Sequence, residues 1–589
     1  MSDERLPYHL GVVSAGAVTV GAYTAGVFDF LFEAWAAWEA AKAGGEDVPD
    51  HAVKLLAMSG GSAGGICSAM QTVAFARPTP PDQKSLLYKI WVEAIDLEPM
   101  LKFDRIGDPT VRSLLRSEYL EEVGQSVIDD VAGATNQASA FPSFVDEHLQ
   151  VTFSLTNLHG VPYVVGQNNL TGEAAYTVHE HADYRTFVCS FGSPAPETPA
   201  VKEFMDGVTL NLQTLHTPEG RRSLNEFIQT ALACGAFPVG LKTRILTRNA
   251  REYRERRVYR TNGPVLERVK TDSLIPGSFF NGKGEISMEY MDGGVMNNEP
   301  FEFVRQYLAY RCNGVRPFDR REGVGRLPRH GAEAHSGVVM VDPFPSKPRT
   351  DYGQGAPSPI LKSLLHLIPA IRNQTHFSRD ILAVAADDNA YSRYLLTPVR
   401  YSANGVKVPS DQPQVAGGFL HAFGGAFDVA LREHDYWLGR YNCQRFLQRH
   451  FALPADNLPV FGDYSQSHDK IKRWEEAGYA HIDEKDGKTY VSVIPVKNEI
   501  RSTENGLPPA WPKMSGERFD ELGKEAWERL KFVAGDLFAD FGTSAWGLTA
   551  LAECVTQRVA RKRFLSGYWK GILKKELKNH ELLHRKVKK

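Results

Sequence analysis

The apolar positions of the first 80 residues fall into four runs with alternating character. Tyr8–Ser14 is a short continuous apolar run, as expected of a strand buried on both faces. Small residues from Ala15 to Val20 form a loop. Gly21 to Lys42 then places Ala, Phe and Trp at helical spacing, and Gly44-Gly45 ends that helix. Ala52–Met58 reads as a second buried strand, Ser59 to Gly65 as a tight turn, and Ile66–Ala76 as a helix that stops before Pro78. The order strand–helix–strand–helix opens a parallel sheet.

Further along, Gln150–Asn157 and Val161–Val165 read as paired strands, with another expected at Ala175–Val178. Residues 190–220 are rich in Pro, Gly and Thr and read as loop. Leu224–Cys234 is helical and runs into Ala236-Phe237-Pro238. Glu289–Gly294 is a strand end and turn, Phe301–Arg311 a helix, 313–336 a surface loop, and Gly337–Asp342 a strand. Beyond Pro343 the texture changes. Residues 345–358 are polar and proline-rich, and the remainder of the chain is mainly helical, with one hairpin over His481–Ile494 turning at Asp486-Gly487. The expected division is therefore 1–345 and 346–589.

Composition changes this picture little, and charge distribution changes it more. With 42% hydrophobic and 23% charged residues, the chain can bury a sizeable core. The net charge of −2 hides an asymmetry. Residues 557–589 carry twelve Lys/Arg against two Asp/Glu, a net of +10, so the first 556 residues carry −12. A basic tail on an acidic body suits an anionic surface, and nothing points to nucleic acid. The six cysteines, at 67, 189, 234, 312, 443 and 554, form no close pair and no metal-ligand cluster, as expected of free thiols in a reducing cytoplasm. Leu6 to Phe28 lacks charged residues, but its four glycines and its continuation into Asp29 and Glu33 fit strand, loop and buried helix better than a membrane span. The expected location is cytoplasmic, with peripheral contact at a membrane as the alternative.

Two motifs carry chemistry. Gly60-Gly61-Ser62-Ala63-Gly64 matches G-x-S-x-G between an apolar strand and a helix. There, glycines at −2 and +2 let neighbouring backbone pass close to a serine on a strained turn, and the following helix N-terminus favours negative charge on its oxygen. Asp292-Gly293-Gly294 is an acid followed by two glycines at a strand end, a form that can approach another turn without a Cβ clash. The elbow follows a single βα unit, too early for the usual plan in which a histidine closes a triad. No HExxH-type cluster or P-loop ending is present, so neither a metal nor a nucleotide cofactor is expected.

These stretches together resemble the patatin-like phospholipase family, over about residues 8–345. The resemblance rests on Gly16-Ala17-Val18-Thr19-Val20-Gly21 in the slot of the family's oxyanion loop, on the Gly60–Gly64 elbow, and on Asp292-Gly293-Gly294 followed by Asn297 and Pro300. Ala231–Val239 resembles the helix and turn that precede the family's aspartate. The resemblance implies an α/β fold of three layers (α/β/α) with a mostly parallel central sheet, joined here to a mainly helical C-terminal region. It also implies a carboxylic ester hydrolase of phospholipase A or lysophospholipase type, with lipid or a membrane surface as substrate and no cofactor. Ser62 would be the nucleophile and Asp292 its base, with the amides of Gly16, Ala17 and Val18 as oxyanion donors. Acyl transfer by the same dyad, or a catalytically weak lipid-binding scaffold, are the alternatives. A free aspartate, with a pKa of about 3.9, is a poor base at neutral pH, so the dyad needs Asp292 desolvated. One departure stands out: family members commonly carry Gly-Gly-Gly-x-Arg/Lys-Gly in this loop, and here Val20 occupies the basic position.

In the C-terminal half, His434-Asp435 invites a catalytic reading. Adjacent helical residues project about 100° apart, so the expectation is two unpaired side chains with packing roles. In the tail, Phe564, Leu565, Tyr568, Trp569, Ile572 and Leu573 fall at helical spacing among Arg561, Lys562, Arg563, Lys570, Lys574, Lys575 and Lys578. Such a helix either lies on an anionic membrane or docks its apolar side on the protein.

Overall fold

The computed structural model describes residues 5–80, 83–102, 112–133, 141–165, 176–191, 208–254, 256–262, 265–270, 275–280, 282–313, 327–328, 330–345, 392–402, 404–462, 464–484, 486–541 and 563–583. The strands are β1 (Tyr8–Ser14), β2 (Val53–Gly60), β3 (Val145–Val165), β4 (Tyr176–Ser190), β5 (Val208–Asn211), β6 (Arg244–Asn249), β7 (Arg257–Asn262), β8 (Val265–Lys270), β9 (Glu285–Asp292), β10 (Ser336–Val341), β11 (Arg393–Leu396), β12 (Ala452–Pro454), β13 (Ala480–Ile482) and β14 (Thr489–Ser492). The longer helices are α1 (Gly21–Ala43), α2 (Ala63–Ala76), α3 (Glu118–Gly133), α4 (Pro218–Cys234), α5 (Phe301–Asn313), α6 (Val429–Arg449) and α7 (Gly516–Phe541).

One sheet organises the chain. Its order is β11-β10-β1-β2-β3-β4-β5, with β9 added to β3 and β6 to β9. The pairings from β11 through β3 are all parallel, as is β4 with β5; β3 with β4, β3 with β9 and β6 with β9 are antiparallel. The sheet is thus mostly parallel, and helices flank it on both faces, the α/β class read from the sequence. β1 shows how the layers form. Leu10 and Val12 join the core that α1, α2 and α4 cover, while Val13 packs with Val304 and Leu308 of α5 on the opposite face.

α1 is apolar around most of its circumference and is buried along most of its length, as a helix enclosed on two sides must be. The sheet covers one side and α6, from the C-terminal half, the other. The two helices touch at backbone level. A Cβ added to Gly26 would lie 1.9 Å from the carbonyl oxygen of Tyr436, and one added to Gly439 would lie 2.1 Å from that of Tyr23. Edge strand β11 also comes from beyond residue 345, and residues of both halves share the main hydrophobic core. The change of texture at 345 is therefore not a break in packing. It marks where polar sequence begins, and residues 346–391 lie outside the described residues.

Three other expectations change. Gln150–Asn157 and Val161–Val165 are not two strands paired with each other. They are parts of the single long strand β3, whose register against β4 shifts between Thr156 and Val161 around Gly160, at φ +72°. Within 190–220, residues 208–211 form a strand, and 192–207 lie outside the described residues. His434 and Asp435 do pair: Asp435 Oδ1 accepts from His434 Nδ1 at 2.9 Å. The expected hairpin is present as β13 and β14, with Gly487 at φ +69°.

The described part of the tail docks on the protein. Trp569, Leu573 and Leu577 are buried, and Trp569 Nε1 donates to the Phe519 carbonyl of α7 at 3.0 Å. Lys570, Lys575 and Lys578 are exposed. The side chains of Phe564, Tyr568 and Ile572, the segment 557–562 and most of the loop expected at 313–336 lie outside the described residues. The described cysteines are free thiols, and no helix among the described residues is long and apolar enough to cross a membrane.

The α1–α6 contact half-buries an acid. Asp29 accepts from Ser85 Oγ at 2.5 Å and from the Tyr436 hydroxyl at 2.7 Å. Burial outweighs these hydrogen bonds and raises its carboxyl from 3.8 to about 6. A carboxyl raised on folding binds its proton more tightly in the native state, so stability falls as pH rises from about 4 through 6. Asp29→Asn is expected to flatten this fall and to stabilise the protein at neutral pH by on the order of 2–4 kcal/mol. Urea denaturation of both proteins at pH 4 and pH 7 checks this, and an unchanged pH slope contradicts it.

Candidate active site

β3 brings the two motif-bearing turns together. Its Phe153 is in register with Gly60 at the end of β2, and two residues later its Leu155 is in register with Asp292 at the end of β9. One strand thus fixes both turns by backbone hydrogen bonds. Across a sequence separation of 230 residues, Ser62 Oγ donates to Asp292 Oδ2 at 2.6 Å.

The serine turn is strained as a strand-to-helix elbow requires. Ser62 has φ 49° and ψ −126°, a conformation that non-glycine residues adopt only where the surroundings enforce it. The enforcement is visible at Gly64, where an added Cβ would lie 2.2 Å from the Ser14 carbonyl oxygen. Ser62 is the residue before α2, and the first amides of that helix have no intrahelical acceptor.

The acid turn is pinned from three directions. The Asp292 amide donates to the Ala236 carbonyl at 2.9 Å, and Thr156 Oγ1 on β3 donates to the Asp292 carbonyl at 2.8 Å. Asp292 Oδ1 accepts the Gly294 amide at 2.7 Å, which leaves Oδ2 to meet Ser62. Gly293 must be glycine, since a Cβ there would lie 2.0 Å from the Ser154 carbonyl oxygen. Ser62 is 5% and Asp292 3% exposed, so their hydrogen bond is shielded from water. Beneath the elbow, Cys234 Sγ lies 3.6 Å from the Gly60 carbonyl oxygen; burial pushes its thiol well above the ordinary value, and the Asp292 carboxylate adds to the rise.

The third expected group, Gly16, Ala17 and Val18, lies against this pair. A Cβ on Gly16 would be 2.5 Å from Ser62 Cβ and 2.6 Å from Asn298 Oδ1. The Gly16 amide donates to the Asn298 carbonyl at 3.4 Å. Ala17 and Val18 open the short helical turn that leads into α1, and their amides have no acceptor among the described residues. Val18 is itself strained, at φ 45°. The structure thus gathers Ser62, Asp292, the elbow glycines Gly60 and Gly64, Gly293, Gly294 and the 16–18 loop in one place. Thr156, Cys234 and Asn298 join them. Thr156 and Asn298 stand outside the motif positions, Cys234 lies within Ala231–Val239, and nothing local distinguishes the three from other core residues. Among the described residues no group of three or more His, Cys, Asp or Glu could hold a metal ion.

A relative named "Uncharacterized protein y4iI", from Sinorhizobium fredii (strain NBRC 101917 / NGR234), is 30% identical to this chain over an alignment covering 92% of it and 78% of the relative. The chain belongs to the y4iI family. That name states no activity, so the chemistry of this y4iI relative rests on the geometry. No family model matches the chain. The crystal structure of VipD from Legionella pneumophila aligns with 97% of this chain and 92% of its own at 12% identity. Its TM-score is 0.21, a value at which the superposition carries no argument.

Proposed function

We propose that the protein is a serine lipid acyl hydrolase of phospholipase A or lysophospholipase type, working through a Ser62–Asp292 dyad in a patatin-like arrangement. The observation that carries the proposal is the buried 2.6 Å hydrogen bond from a strained elbow serine to a carboxylate whose other oxygen is already held. A hydroxyl is a poor nucleophile unless a base takes its proton as it attacks, and Asp292 is in hydrogen-bond reach of that proton.

In the proposed reaction Asp292 Oδ2 takes the Ser62 proton as Oγ adds to the ester carbonyl carbon. The carbonyl π pair moves to oxygen, and the amides of Ala17 and Val18 stabilise the oxyanion. Collapse of the intermediate breaks the bond to the alcohol, which leaves with the proton from Asp292. Water then attacks the acyl-Ser62 ester, Asp292 accepts its proton, and the fatty acid departs as the proton returns to Ser62. The same acyl-enzyme would transfer its acyl group if an alcohol replaced water.

Contact with the substrate surface is proposed to be electrostatic. The docked tail turns apolar residues inward, so its exposed Lys570, Lys575 and Lys578 would face anionic lipid from outside the bilayer core.

Two outcomes test these readings. On a panel of phospholipids, lysophospholipids and p-nitrophenyl esters, the wild type is expected to hydrolyse at least one member, with Ser62→Ala and Asp292→Ala each lowering kcat about 10³-fold or more. Full activity in either variant refutes the dyad. In sedimentation with anionic vesicles, neutralising the three lysines to Gln is expected to weaken binding on the order of 100-fold at low salt. Unchanged binding removes the tail from the proposal.

A further inference from the structure

The loop that supplies the proposed oxyanion donors is held by the far end of the chain. Thr19 follows strained Val18 and is 4% exposed. Its hydroxyl donates to the Ala422 carbonyl at 2.7 Å and accepts the Gly425 amide at 3.0 Å. Both contacts come from the segment 416–427, in the C-terminal half of the chain.

That segment is itself braced. Asp435 on α6 accepts the Ala416 amide at 2.7 Å through Oδ1 and the Gly417 amide at 2.8 Å through Oδ2. Arg432, one turn earlier and 1% exposed, donates to the Gly425 carbonyl at 2.8 Å and to the Val92 carbonyl at 2.8 Å. Between these braces, Leu420, His421 and Ala422 take φ of 52°, 53° and 72°. Three successive non-glycine residues in the left-handed region are costly for L-amino acids, and such strain persists where surrounding contacts over-determine it. The turn they form aims the Ala422 carbonyl at Thr19. Gly425 closes against the same hydroxyl, where an added Cβ would lie 2.8 Å from Thr19 Oγ1.

We propose that residues 416–427 form a positioning element of the active site, acting through Thr19 to fix the Gly16–Val20 loop. The inference rests on the hydrolase reading above for its catalytic consequence. The physical reason for the device lies in the loop itself. With Ala17 and Val18 in place of glycines, the loop holds a strained shape that its own sequence disfavours, and the double hydrogen bond at Thr19 supplies the restraint. His434 and Asp435 thereby acquire a role without touching substrate: Asp435 orients the segment, and His434 orients Asp435.

The test uses the full chain with Thr19→Val, Thr19→Ser and Gly425→Ala. Thr19→Val keeps the shape and removes both hydrogen bonds, and Thr19→Ser keeps the hydroxyl. The expected results are a roughly 10- to 100-fold loss of kcat for Thr19→Val with KM little changed, near wild-type kcat for Thr19→Ser, and a loss for Gly425→Ala resembling that of Thr19→Val. Wild-type kcat in Thr19→Val, or equal losses in the Val and Ser variants, overturns the proposal. Amide hydrogen exchange over residues 15–21 reads the restraint without catalysis. Faster exchange in Thr19→Val and Gly425→Ala supports it, and unchanged exchange overturns it. If the wild type hydrolyses nothing, the hydrolase reading fails, while the exchange data still decide whether the segment restrains the loop.

Discussion

The site depends on one geometric constraint: β3 pairs with β2 beside the serine turn and with β9 beside the acid turn, two residues apart. Backbone hydrogen bonding in a sheet fixes register to a fraction of a residue, because a slip of one would reverse every side chain between the faces. The separation of Ser62 and Asp292 is therefore set by the sheet rather than by either turn. Each turn then needs only local features: glycines that allow close approach at 64 and 293, and hydrogen bonds that leave one carboxylate oxygen for the serine. Misplacement by a single ångström would cost much of a dyad's effectiveness, so anchoring on a central strand is what such chemistry demands.

The C-terminal half completes this unit. α6 lies against α1 so closely that glycines are needed on both helices, β11 extends the sheet, and 416–427 reaches the loop beside Ser62. α1 begins at that loop, so the helix that α6 covers also carries the restrained turn at its N-terminal end. Core, sheet edge and site loop thus draw on both ends of the chain.

How much of this is legible in the sequence depends on the range of the interactions. β1, β2 and β10 can be read to within two residues, because strands buried on both faces are continuous apolar runs. Ser62 and Asp292 are legible because the close approach of backbones leaves a written trace as glycine. β3 reads as two paired strands because the strand-like runs Gln150–Asn157 and Val161–Val165 are separated by Leu158-His159-Gly160; the structure uses those residues for a register shift. β11 is four residues long with only Leu396 buried, too little for a pattern. Thr19, Thr156 and Asn298 give no signal, since the identity of one polar residue does not reveal a partner far away in the chain. The pairing of His434 with Asp435 is missed when side chains are treated as rigid radial vectors rather than as groups free to rotate about χ1 and χ2.

In the proposed mechanism Ser62 is an activated nucleophile because Asp292 takes its proton. Mass-spectrometric mapping of the protein after reaction with a fluorophosphonate measures this directly. A single adduct is expected on the peptide carrying Ser62, formed far more slowly when Asp292 is replaced by Ala. An unmodified Ser62 in the wild type, or an adduct that forms at the same rate without Asp292, would contradict it.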